Sequence, residues 1–205
     1  LNLILGNLRK LKSYLLPESW QEQSAKDLII ESLGLGVAES FEAFCDRKFA
    51  RAVGTTEEFS GERESFVLER YPLEAKPTLH MRQGGSATWE TYTDAIAQWS
   101  SATGIVTLNG TAGDEWSVFR VTSTGGYWID EAENLDSGET TIPVGAFALP
   151  RALERAWLDQ CRHVWSAGKL FANVGENDPK LNALVEIDLL PTVQKTLNQY
   201  RRMTL

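Results

Sequence analysis

Long apolar runs are missing from this 205-residue chain. No stretch approaches the ~18 consecutive apolar residues that a bilayer-spanning helix needs. The N-terminus lacks the charged, apolar and small-residue succession of a secretory signal, so synthesis inside the cell, with no membrane partner, is the expectation. Cysteine is scarce: Cys45 and Cys161 are the two in the chain, and both fall within helical patterns. That argues against a disulfide framework and for two small buried apolar groups, although spacing alone leaves open a pair across packed helices. The two histidines, His80 and His163, stand apart from any Cys or Asp/Glu cluster at ligand spacing, so no metal site is expected. The chain also has no G-x-S-x-G, no P-loop and no G-x-G-x-x-G, which removes the common signatures of hydrolase, nucleotide and dinucleotide chemistry. No cofactor and no catalytic residue is expected.

What is present is an ordinary globular composition, 42% hydrophobic and 23% charged, enough for one or two domains. Charge is unevenly spread. Residues 55 to 149 hold 15 acidic and 5 basic side chains, a balance of −10, so the net −8 of the whole leaves +2 for the two flanks. An acidic middle repels phosphate and argues against tight nucleic-acid binding there.

The hydrophobic period changes twice. Residues 3 to 14 place Leu5, Leu8 and Leu11 three apart and predict a short helix ending before Pro17. Ser24, as N-cap, and Asp27, in the first turn, predict a longer helix through about residue 49. Its stripe is Ile29, Leu33, Val37, Phe41, Phe44 and Cys45. Gly34 and Gly36 lie inside that helix, for close approach of another backbone or for a kink. From residue 55 the pattern becomes short β-branched and aromatic runs, 55–59, 65–70, 78–82, 105–108 and 116–122, bounded by glycine and proline, which predict an antiparallel sheet. Residues 89–101 read as loop or short helix. Pro150 then opens a second long helix, with Leu153, Ala156, Trp157, Cys161, Val164, Gly168 and Phe171 on one face. Asp178-Pro179 starts another helix, with Leu181, Leu184, Val185 and Ile187, and Leu190-Pro191 ends it. The expected fold is α+β: a helical bundle from residues 1–51 and 149–205 with an antiparallel β-domain, 52–148, inserted. Phe41, Phe44 and Cys45 are expected to meet Leu153, Trp157 and Val164.

The order of these segments carries a likeness. Leu8-Arg-Lys-Leu-Lys-Ser-Tyr-Leu15, the helix ending Cys45-Asp-Arg-Lys-Phe49, Glu58-Phe-Ser-Gly61 and Leu68-Glu-Arg-Tyr-Pro-Leu73 come first. Val121-Thr-Ser-Thr-Gly-Gly-Tyr127, Leu149-Pro-Arg-Ala-Leu153 and Leu189-Leu-Pro-Thr-Val-Gln-Lys-Thr-Leu-Asn-Gln-Tyr-Arg-Arg202 follow. In this order they span nearly the whole chain, and the sequence resembles the head-tail connector (adaptor, head completion) proteins of tailed double-stranded-DNA bacteriophages. That resemblance implies a virion neck protein made in the host cytoplasm, without enzymatic activity. It implies a ring, twelvefold in the virion, docked on the portal protein after DNA packaging. Its partners would be the portal, neighbouring copies of itself and the next neck or tail protein, with DNA passing through the channel unread. The long β-rich insertion departs from the compact helical members, so the partner of the insertion is not implied.

Partner-binding candidates are Arg47 and the C-terminal arm. Arg47 can bridge to a neighbouring subunit or serve as a cation at a helix C-terminus. The arm comprises Leu190, Pro191, Val193, Lys195, Leu197, Tyr200, Arg201 and Arg202. Its stripe of Val193, Leu197 and Tyr200 has little to bury against in its own chain, which suggests a segment ordered only on assembly, with a frayed terminus as the plain alternative. Two competing functions remain. Trp89, Trp99, Trp116 and Trp128 could form a carbohydrate- or host-surface-binding module, or be sheet aromatics. Glu131, Glu133 and Asp136 could supply an acid/base pair of a hydrolase, or be a solvated acidic loop. Gly125-Gly126-Tyr127-Trp128 reads as a ligand platform or as a turn before core aromatics.

Overall fold

The computed structural model describes residues 3–21, 24–84, 86, 88–110, 116–129, 142–167 and 188–203. The fold is α+β, and the chain divides into two compact units. The first comprises Leu1–Asp46, Ile129–Ile142 and Leu149–Arg201; the second comprises Arg47–Trp128, Pro143–Ala148 and Arg202–Leu205.

The first unit is helical. Its helices are α1 (Leu8–Leu15), α2 (Glu18–Gln21), α3 (Asp27–Cys45), α4 (Arg151–Ser166) and α5 (Pro191–Leu197). The helix expected from residue 3 begins at Leu8, because the Asn7 side chain accepts the Lys10 amide at 2.8 Å and so caps the first turn. Residues 3–6 form a tight turn instead, with Ile4 at φ 68°, and it carries Leu3 and Leu5 into the core. Ser24 does not cap α3. It opens a 3-10 turn, and α3 begins at Asp27, whose carboxylate meets the Lys12 ammonium at 2.6 Å. Asp46, in the left-handed conformation that aspartate tolerates better than most residues, stops α3 at its far end.

The buried stripe of α3 is Ile30, Leu33, Val37, Phe41 and Cys45, and α4 returns Leu153, Trp157, Cys161 and Val164 to the same core. α3 and α4 pack together, and α1 packs on both. Both cysteines are buried and free. Burial pushes the Cys161 thiol far above its usual range, which leaves it an inert apolar filler. Gly168 and Phe171, and the helix expected from Asp178-Pro179, lie outside the described residues.

The two glycines of α3 serve differently. A Cβ on Gly34 would stand 2.9 Å from Leu11 Cδ2, 2.9 Å from Leu3 Cδ1 and 3.1 Å from Trp157 Cζ2, whereas one on Gly36 would meet nothing within 4 Å. Gly34 therefore permits close packing, and Gly36 only weakens the helix. Gly36→Ala is expected to raise stability by up to ~1 kcal/mol. Gly34→Ala should lower it, since overpacking costs ~1–3 kcal/mol against the same propensity gain. Paired urea titrations that gave both variants the same sign would contradict this.

The second unit is built on two antiparallel sheets, one ordered β1-β7-β3-β4 and the other β2-β6-β5. Its strands are β1 (Ala52–Ser60), β2 (Ser65–Val67), β3 (Thr78–Arg82), β4 (Glu90–Thr91), β5 (Ile96–Trp99), β6 (Ile105–Leu108) and β7 (Val118–Gly125). Alternation along β3 and β7 turns Leu79, Met81, Phe119 and Val121 inward, where they meet Phe66, Val106 and Leu108 from the second sheet. Phe66 packs between Phe59 and Phe119, with ring centroids at 4.7 and 5.5 Å. A parallel pair, β8 (Tyr127–Trp128) with β9 (Phe147–Ala148), completes the unit.

Candidate functional site

The C-terminal segment is where the structure departs most from the expectation. Val193 is 2% exposed and Leu197 is fully buried. α5 packs on α4 and α3, and the Cys45 thiol lies 3.5 Å from the Leu197 carbonyl. The stripe read as lacking a partner in its own chain has one. Gln160, fully buried in α4, holds the entry to α5 at two points: its amide oxygen accepts the Leu190 N–H at 2.9 Å and its amide nitrogen donates to the Asp188 carbonyl at 3.0 Å. A glutamine on the apolar face of α4 was the available signal, because a buried amide must find hydrogen-bond partners. What remains open to solvent on this segment is mostly polar or cationic: Thr192, Gln194, Lys195, Asn198, Gln199 and Arg201 are exposed, with Pro191 and Met203 the apolar exceptions, and Tyr200 is half-buried. The Arg201 guanidinium stands 5.5 Å over the Phe44 ring. Arg202 belongs to the second unit, where it donates to the Val67 carbonyl.

Arg47 is buried within its own unit. It is 4% exposed, with its guanidinium 3.4 Å over the Tyr71 ring, 4.9 Å from the Phe49 ring centroid and 5.5 Å from that of Tyr127, and it donates to the Tyr71 carbonyl. Such a desolvated cation among rings organises the second unit from within. Burial pushes the Tyr127 hydroxyl upward and Arg47 pulls it back. Beside this cage, the Gly125-Gly126 passage is a backbone crossing. Gly126 has φ 94°, and a Cβ there would lie 2.6 Å from the Ala50 carbonyl oxygen; one on Gly125 would lie 2.8 Å from the carbonyl oxygens of both Arg70 and Pro72. Tyr127 then donates its N–H to the Phe49 carbonyl at 2.7 Å. The crossing is occupied by main chain on both sides and forms no platform for a ligand.

The outward face of the four-stranded sheet gathers chemistry that is scattered in the sequence. Register aligns Glu58, Arg120 and His80 in one row and Ser60, Val118 and Arg82 in the next. Trp89 lies over both arginines, with the Arg120 guanidinium 3.9 Å and that of Arg82 4.9 Å from its ring. Glu58 accepts from Arg120 at 2.7 Å. No carboxylate pairs with Arg82 among the described residues. Trp116, 69% exposed, stands where β7 begins, with its Cβ against Gly84. Of the other tryptophans read as surface candidates, Trp99 lies in β5 and is 37% exposed, and Trp128 is half-buried in β8. None of the four is a core residue.

Glu57 is the perturbed carboxyl group among the described residues of the unit. Burial pushes it above its ordinary value of 4.5, while the Glu69 N–H, accepted by both of its oxygens at 3.1 and 3.0 Å, pulls it down. A carboxyl raised on folding favours the protonated form, so its contribution to stability is present below the unfolded value and is lost as pH rises through the folded one. Glu57→Gln is therefore expected to flatten the fall in stability as pH rises above 4.5. Urea midpoints taken across that range, with parallel curves for variant and wild type, would refute this.

Glu131, Glu133 and Asp136 lie outside the described residues. Among the described residues, no three His, Cys, Asp or Glu side chains come together as a metal cluster would require, and no helix is long and apolar enough to cross a membrane.

No family model matches the chain, and no curated protein matches its sequence. Among solved structures it is similar to a chain in the neck of an empty GTA particle, computed with C6 symmetry: TM-score 0.59, 10% identity, 97% of this chain and 90% of that one covered. It is also similar to a chain in the virion of a native gene transfer agent (GTA) particle, with TM-score 0.56 and 10% identity, covering 100% of this chain and 93% of that one. At this identity the likeness is one of fold.

Proposed function

We propose that the chain is a structural subunit of the neck of a phage-like particle, a head-tail adaptor that assembles as a ring beneath the portal, continues the DNA channel and presents a platform for the next neck or tail protein. The observation that carries this reading is the near-complete coverage of the neck chain in both directions, which takes in both compact units. The order of adaptor-like segments from Leu8 to Arg202 supports it independently. That the similar neck was computed with C6 symmetry agrees with a ring, and the twelvefold count follows from the family resemblance. A structural role without catalysis fits both lines of support.

Within this proposal the exposed cations Lys195 and Arg201, with Pro191 and the half-buried Tyr200, are the portal-facing candidates of the C-terminal segment. Val193 and Leu197 are buried within the chain and hold that segment in place. The deciding experiment is electron microscopy of the purified protein mixed with DNA-filled, portal-bearing heads. Ring density at the portal vertex is expected; protein that stays entirely in the free fraction would overturn the assignment. The acidic middle should leave passing DNA unbound, so the full-length protein is expected to give no duplex shift at low salt. Micromolar binding with a steep salt slope would contradict that part.

A further inference from the structure

We infer that the outward face of the β1-β7-β3-β4 sheet, centred on Arg82, Trp89 and Arg120, is the surface on which a second copy of this chain docks through its carboxylates. The inference rests on the ring assembly proposed above and specifies one of its contacts.

Three observations lead there. The first is charge. Residues 55–149 contain only five cations, Arg63, Arg70, Lys76, Arg82 and Arg120, against fifteen acids. Two of the five share one sheet face under a single indole. Concentrating scarce cations on one patch of an acidic body makes that patch complementary to the rest of the same body, and therefore to the next copy. The second is pairing. Arg120 already has Glu58 at 2.7 Å, while Arg82 has no carboxylate among the described residues. Trp89 fixes the Arg82 guanidinium in place, so a carboxylate arriving from outside meets a positioned fork of donors and loses little entropy in binding. The third is composition. Tryptophan and arginine dominate the energetic centres of protein interfaces, and exposed Trp116 extends the aromatic surface at the Arg82 end of the sheet.

The patch contacts carboxylates and does not resemble them, so the contact is between unlike surfaces. Repeated from copy to copy, a head-to-tail contact of that kind closes into a ring when its rotation closes. Exposed acids available on the same unit of the neighbour include Glu62, Glu64, Glu69, Glu90 and Asp94.

The test uses the full chain. Arg82→Lys keeps the charge and adds an amine that a carbodiimide can couple to the carboxylate it contacts. Heavy-isotope-labelled and unlabelled protein are mixed, assembled and cross-linked, and the peptides containing position 82 are identified by mass spectrometry. Mixed-label links from position 82 to acids of residues 55–149 are expected; same-chain links only, or none, would overturn the inference. In sedimentation, Arg82→Glu should weaken self-association by about tenfold or more, with Trp89→Ala acting in the same direction. Circular dichroism spectra and melting checked against wild type guard against misfolding. An Arg82→Glu protein that melts normally and still forms rings on portal-bearing heads would sink the docking face and leave the neck assignment standing. Wild-type protein that forms no rings, free or on heads, would sink both. A tryptophan fluorescence change on adding soluble oligosaccharides, with association unaffected by Arg82→Glu, would reassign the face to glycan binding.

Discussion

Trp157→Ala is expected to destabilise the helical unit by about 3–5 kcal/mol, the range for truncating a large buried aromatic. Trp157 has no exposed surface, its indole N–H donates to the Gly34 carbonyl at 2.9 Å, and α1 and α3 pack against its helix, α4. Glycine lines the ring on two sides. A Cβ at Gly6 would sit 2.5 Å from Trp157 Cζ3, and one at Gly34 would sit 3.1 Å from Cζ2. Neither neighbour has a side chain that could swing into the space left behind, so the cavity should stay open and the loss should fall toward the upper end. A denaturant titration followed by the helical circular dichroism signal reads it. A change below about 1 kcal/mol would mean that the helices do not depend on this ring.

The second large effect is expected from removing residues 191–205. Val193 and Leu197 are buried side chains, each worth about 1.5–3 kcal/mol on burial. Deletion also removes the Leu197 carbonyl beside the buried Cys45 thiol. A loss of several kcal/mol, visible as a melting temperature lower by roughly 10 °C for a chain of this size, is expected. An unchanged melt would restore the reading of the segment as an independent arm. Attachment to heads has to be probed without this loss, and Lys195→Glu with Arg201→Glu does so. Both residues are exposed, and exposed substitutions usually change stability by less than about 0.5 kcal/mol. The double variant should melt like wild type yet join portal-bearing heads more slowly and with altered salt dependence, because rim charges act chiefly on encounter. Attachment indistinguishable from wild type would remove these two cations from the portal contact.

Fold class was legible because the two periods are strong where burial is one-sided. Thr78–Arg82 and Ile105–Leu108 alternate cleanly and lie where the pattern places them. β5 was not legible: of Ile96–Trp99 only Ile96 is buried, and a register shift between Ile96 and Gln98 breaks the alternation. The α5 stripe was recognised and misjudged. Val193 and Leu197 are spaced for a helix face, but a short amphipathic helix reads the same whether its partner is another chain or α4. Gln160 decides between them through contacts 28 and 30 residues along the chain, which no local window contains. For the same reason the Arg82–Trp89–Arg120 group was invisible. Its members lie on separate segments and meet only once the β3–β7 register is set.

The link between Gly34 and Trp157 also bears on how the chain is made. These partners are 123 residues apart, and a ribosome adding ~5–20 residues per second needs roughly 6–25 s to cover that distance. For that interval α3 has emerged with Ile30, Leu33, Val37 and Phe41 and without α4, which completes their cover. The nascent N-terminal segment therefore carries an apolar stripe only partly covered, by α1, throughout translation of the acidic middle, and it is during this wait, more than in the finished subunit, that its greasy face is open to wrong partners.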